Sequence, residues 1–111
     1  MSLLEADFQR QVMALLRASP RVVWARRLNS GKIKSRRGGW VKLGDTGDPD
    51  IVGMLDGGRF FAIELKRADA PQSDHAERRE KQREVLRTIG AGHGLVVFAS
   101  TIEEIQKGLG I

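Results

Sequence analysis

The 111-residue sequence contains no cysteine, which excludes disulfides, thiolate metal sites and thiol nucleophiles. Its two histidines, His75 and His93, have no partner at ligand spacing, so a zinc centre is not expected. No stretch approaches the roughly eighteen consecutive apolar residues that a membrane span needs. The opening MSLLEADFQRQ carries Glu5 and Asp7 and lacks a basic lead-in, which argues against a secretory signal and for a cytoplasmic location. Repeats, low-complexity tracts and linkers are missing too, and the length suits one domain with a modest core. Acidic residues are absent between Asp7 and Asp45, a span that holds ten Lys and Arg in a chain of net charge +5. An uncompensated basic stripe that includes Arg26, Arg27, Lys32, Lys34, Arg36 and Arg37 suits a polyanion, most often nucleic acid. The competing reading is a solvated surface whose lysines guard a sheet edge.

The periodicity predicts an α/β fold. LLEADFQRQVMALLRA places Leu4, Phe8, Val12, Leu15 and Leu16 at helical spacing, with Pro20 beyond the end. Val22 to Leu28 reads as a strand. Lys32 to Arg36 and Trp40 to Leu43 read as a basic hairpin around Arg37-Gly38-Gly39. Ile51 to Leu55 and Arg59 to Leu65 are the central strands. Asp74 and Glu77 form a capping box for a helix that ends at Gly90 or Gly92. Leu95 to Ala99 is apolar throughout and is expected in the interior of the sheet. Thr101 caps a last short helix. The order α-β-β-β-β-β-α-β-α implies a mixed sheet with helices packed on it, and a right-handed crossover between parallel strands after Leu65.

Charge intrudes on the central hairpin. In GDPDIVGMLDGGRFFAIELK, Glu64 and Lys66 share one strand face, and Phe61, Ile63 and Leu65 share the other. A three-residue Asp56-Gly57-Gly58 turn sets Ile51 opposite Ile63, Gly53 opposite Phe61 and Asp50 opposite Glu64. A two-residue turn would slip the register by one and separate the two acids onto opposite faces. Room for the Phe61 ring over Gly53 favours the three-residue turn, with Gly58 in the left-handed conformation. Paired carboxylates with Cβ atoms roughly 5 Å apart repel unless a cation lies between them. Asp50, Glu64 and the main-chain carbonyl of Leu65 suit a hard divalent ion, Mg²⁺ or Mn²⁺. Lys66 is placed to orient a water or to offset charge on a pentavalent phosphorus. That set is equipment for phosphodiester hydrolysis. The competing reading is a buried Glu64–Lys66 ion pair with Asp50 as a turn residue; a third charge beside such a pair lacks a structural reason.

Pro49-Asp50, thirteen residues, then Glu64-Leu65-Lys66 resembles the PD-(D/E)XK nuclease signature. With RRLNSGKIKSRRGGWVKLGDTGDPDIVGMLDGGRFFAIELK and SDHAERREKQREVLRTIGAGHGLVVFAS around it, the chain is similar to the VRR-NUC family, specifically its small stand-alone phage and prophage members. The likeness runs from Glu5 to about Ser100. It implies a single nuclease domain over residues 1–111 with a restriction-endonuclease-like fold, an α-β-β-β-α-β core plus the basic hairpin. It implies a structure-selective endonuclease for branched DNA such as four-way Holliday junctions, acting as a homodimer in a bacterial or phage-infected cytoplasm. Asp50 and Glu64 then bind metal and Lys66 is the catalytic lysine. Gln82 matches the family's glutamine on the following helix, where it shares an inward stripe with Val85, Leu86 and Ile89. Its other reading is a satisfied core amide. Glu5 matches an acid on the first helix that reaches a second metal position; as a helix N-terminal charge it would equally complement the dipole. Two departures are Asp48, an extra acid before Pro49, and the short connection Arg67 to Ser73.

Other candidates are weaker. GAGHG (Gly90 to Gly94) follows a helix and precedes a strand, the reverse of a dinucleotide fingerprint. Trp40 beside Lys42 is read as core rather than as a base-stacking residue. No helix-turn-helix, zinc finger or extended arm is available to read base sequence, so phosphate contacts and DNA shape are expected to decide binding. A less selective flap or nicking nuclease is the alternative enzyme. A DNA-binding module with a vestigial site is the alternative of another class.

Overall fold

Apolar spacing along the first helix decides which face of the sheet becomes the core. A computed structural model of the chain describes residues 3–28, 32–42, 47–66 and 76–111, with the backbone alone at 3–5, 32–34, 40–42 and 76–79. The elements run α1 (Leu3–Ala18), β1 (Val22–Arg27), β2 (Lys32–Lys34), β3 (Trp40–Lys42), β4 (Ile51–Leu55), β5 (Arg59–Leu65), α2 (Ala76–Ala91), β6 (Leu95–Ala99) and α3 (Ile102–Leu109). Among the described residues, four strands form one mixed sheet in the spatial order β1-β4-β5-β6, and β2 pairs with β3. The first two pairings are antiparallel and β5–β6 is parallel. This is an α/β architecture, a mixed sheet flanked by helices.

Val12, Met13 and Leu16 of α1 and Ile105 and Leu109 of α3 are buried against Ile51, Leu55, Phe61, Ile63, Val97 and Ala99. These strand residues alternate along their chains, so α1 and α3 share one face of the sheet. Helix α2 lies over β5 and β6, and its buried Leu86 stands outside that core. Alternation puts α2 on the opposite face, with Ala62 and Glu64. The Thr101 hydroxyl accepts the Glu104 N–H at 3.2 Å and starts α3, and Gly110 at φ +71° ends it.

The hairpin has the three-residue turn. Ile51 pairs with Ile63 and Gly53 with Phe61, and a Cβ on Gly53 would collide with the Phe61 ring and the Trp24 carbonyl. Both Gly57 and Gly58 take positive φ, +84° and +83°. Two expectations change. The apolar strand Leu95–Ala99 is at the sheet edge; its burial comes from helices on two faces, with Val97 and Ala99 toward α3 and Val96 toward α2, rather than from strands on two sides. The basic hairpin's first strand ends at Lys34 rather than Arg36 and pairs with Trp40–Lys42 as a two-stranded unit, while Leu43 falls outside the described residues. The capping residue Asp74 and the side chains of Glu77 and Trp40 fall outside the described residues.

Candidate active site

Continuing the β4–β5 ladder one step beyond Ile51 and Ile63 sets Asp50 opposite Glu64. The backbone pins this end of the hairpin on both sides. Leu28 N–H donates to the Asp50 carbonyl at 2.8 Å, and Leu65 N–H donates to Asp50 Oδ2 at 2.8 Å. The second bond draws the Asp50 carboxylate across to the strand that carries Glu64. Buried Pro49 precedes it with a fixed φ.

Glu64 is strained electrostatically. Burial, then the charge of Asp50, raise its carboxyl from the ordinary 4.5 to about 7, against an opposing hydrogen bond from Gln82 and the charge of Lys66. Glu64 Oε2 is buried with no hydrogen-bond partner. A buried carboxylate oxygen beside a second carboxylate costs free energy unless something positive meets it. A divalent ion fits that requirement, with Asp50 and Glu64 as donors and the Leu65 carbonyl adjoining. Among the described residues no group of three or more His, Asp or Glu is close enough to hold a metal, so the acidic donors described there are this pair. The Glu5 side chain lies outside the described residues.

Two elements from the crossover complete the site. Gln82, half-buried on α2, is the hydrogen-bond partner of Glu64. Its helix comes this close because residue 47 is glycine. A Cβ there would sit 2.9 Å from the Lys81 carbonyl carbon and 3.0 Å from Gln82 N, and φ at Gly47 is +94°. Lys66 is exposed. Its N–H donates to the Ala99 carbonyl at 2.7 Å, and its ammonium lies 5.1 Å from the centroid of the Phe98 ring. Phe98 pairs with Glu64 across β5–β6 and is 49% exposed. The ring therefore supports Lys66 beside the carboxylates by a cation–π contact.

The structure thus brings Asp50, Glu64, Lys66 and Gln82 to one end of one sheet face. The basic residues divide. Arg26 pairs with Val52 and so lies on the face of the carboxylates, whereas Arg27 pairs with Ile51 on the α1 face and donates to Gln9 Oε1 at 3.0 Å. Arg36 and Arg37 are exposed in the turn of the β2–β3 hairpin, and the side chains of Lys32 and Lys34 fall outside the described residues. His93 is exposed at φ +68° and its carbonyl accepts from Arg59; His75 falls outside the described residues. Sequence reasoning missed Phe98 and Gly47. Only the first left a signal, an aromatic in the strand that the crossover sets parallel to Glu64 and Lys66. Neither a family model nor any curated protein matches the chain.

Proposed function

We propose that the chain is a Mg²⁺- or Mn²⁺-dependent DNA endonuclease with a restriction-endonuclease-like fold, of the VRR-NUC kind that its sequence resembles. The observation that carries the reading is the buried, partnerless Glu64 Oε2 opposite Asp50, with Lys66 two positions along the same strand. Asp50, Glu64 and the Leu65 carbonyl would hold the ion, which would supply Lewis acidity and acidify a water at neutral pH. Gln82 fixes the Glu64 rotamer, and the Leu65 N–H fixes that of Asp50. Lys66, held over Phe98, offers its ammonium to the phosphate oxygens as charge builds on the pentavalent phosphorus. Branched DNA is the favoured substrate and a homodimer the favoured assembly, since symmetric cuts across a junction need two such sites.

Plasmid nicking with and without Mn²⁺ tests this. Wild type should nick only with the metal. Asp50→Asn keeps an acceptor for the Leu65 N–H and Glu64→Gln keeps the side-chain volume, so both should fold and bind DNA but not cut. Metal-independent cutting, or either variant cutting at the wild-type rate, would refute the site. Binding without cutting by wild type would assign a vestigial module. Equal cutting of junctions and linear duplex would assign a less selective nuclease.

A further inference from the structure

On the face that carries the carboxylates, α2 packs over β5 and β6, while Trp24 and Arg26 on β1 are exposed. The ladders order this face in levels. Trp24, Met54 and Phe60 form one level, Arg26, Val52 and Ala62 the next, and Asp50 with Glu64 the one after. At about 3.3 Å per residue, Trp24 is roughly 13 Å along the sheet from the carboxylate level, with Arg26 midway.

Trp24 reaches this face through an irregularity. The β1–β4 register shifts between Val22 and Trp24. In an unbroken strand Val22 and Trp24 would share a face, and Val22 packs against the core. The extra residue, Val23, turns the indole out of the core and onto the face of the site, where it is 43% exposed. Bulges next to active sites commonly re-aim a side chain in this way. Phe60, 38% exposed, lies on the far side of Met54 at the same level. A core-forming purpose does not account for a tryptophan and a phenylalanine left in solvent beside an arginine.

We propose that this strip of β1 and β4 binds an unpaired DNA strand, with Trp24 stacking on a base and Arg26 meeting the phosphate between that base and the bond to be cut. The inference rests on the nuclease reading and names its substrate class: DNA with a single-stranded flank next to a branch. Charge complementarity selects this occupant. The apolar level is bordered on the same face by Arg26, in a chain of net charge +5, and aromatic side chains beside basic ones stack on bases irrespective of sequence. In a paired duplex the base faces are already stacked, so Trp24 discriminates for unpaired strands.

The test uses the full chain in EDTA, so that cleavage does not intervene. In a Trp40→Phe background Trp24 is the only tryptophan, and oligo(dT) of roughly twelve nucleotides should quench its fluorescence to saturation. By anisotropy, Trp24→Ala should weaken oligo(dT) binding about five- to a hundredfold more than it weakens binding of a blunt duplex. Trp24→Phe, which keeps a ring and guards against misfolding, should restore most of the loss. Equal weakening for both DNAs, or none, overturns the proposal. So does a Trp24→Ala chain whose sedimentation shows a dimer lost, since the strip is then a contact between copies. A parallel nicking assay separates the two readings. Metal-dependent nicking without quenching overturns the strip alone, and quenching without nicking supports the strip and overturns the nuclease.

Discussion

Titrating the metal-free protein isolates the repulsion built into the carboxylate pair. The folded chain holds a proton on Glu64 up to about pH 7, whereas an ordinary glutamate releases it near 4.5. Because the folded-state value is raised, the stabilisation is fully present below pH 4.5 and is lost as pH rises through 7. At ~1.4 kcal/mol per pH unit, the rise from 4.5 to about 7 corresponds to about 3 kcal/mol by pH 8. A domain of this size has only about 5–15 kcal/mol in total. Urea denaturation of wild type and Glu64→Gln in EDTA at pH 5, 6, 7 and 8 measures it, because titrating groups remote from the Asp50–Glu64 pair cancel in the difference. The glutamine chain should match wild type in acid and exceed it by up to about 3 kcal/mol at pH 8. Added Mn²⁺ should reverse the order at pH 8, since the ion needs both carboxylates charged, and its affinity should fall about tenfold per pH unit below 7. Parallel stability curves for the two chains, or metal affinity flat from pH 6 to 8, would show that Glu64 is already ionised and the site wrongly read.

Lys66→Ala should slow single-turnover cleavage on the order of a hundredfold while DNA affinity changes little; a fall in affinity at an unchanged rate would make Lys66 a phosphate contact. Gly47→Ala forces a Cβ into the backbone of α2 at a positive φ and should cost about 2 kcal/mol, a fall in Tm of roughly 10 °C by calorimetry. An unchanged Tm would mean that loop and helix do not depend on each other. Replacing Arg36 and Arg37 together should flatten the log–log salt dependence of duplex binding by about one unit for each phosphate no longer neutralised; an unchanged slope in a salt-series titration would remove the β2–β3 turn from the DNA interface.

The hairpin was readable because several local constraints agree on it. Consecutive glycines permit the turn, alternation assigns the faces, and Gly53 under Phe61 rejects the slipped register. That one register was enough to pair Asp50 with Glu64. What escaped sequence reasoning depends on contacts between distant segments. VVWARR carries no mark of its bulge, and an unbroken alternation from Val22 would group Trp24 and Arg26 with the core. The bulge instead sends Arg27 to the α1 side and Arg26 to the site. Gly47 reads as a loop residue until α2 is seen against it. The apolar run Leu95–Ala99 cannot distinguish a central strand from an edge strand sandwiched by helices, because both bury two faces.

The two carboxylates belong to a hairpin closed by three residues, while Gln82 and the helix above them arrive through the long crossover. Hairpins form in about 1–10 μs, before distant segments dock. At that stage Asp50 and Glu64 face water, where two charges 4 Å apart repel by only ~1 kcal/mol. The larger penalty arises when α2 settles over Glu64 and excludes solvent. It is therefore incurred late, on the native side of the folding barrier. Raising the pH should then steepen escape from the native state and leave entry to it nearly unchanged. Chevron plots at pH 5 and pH 8 should overlay on the refolding limb and separate on the unfolding limb.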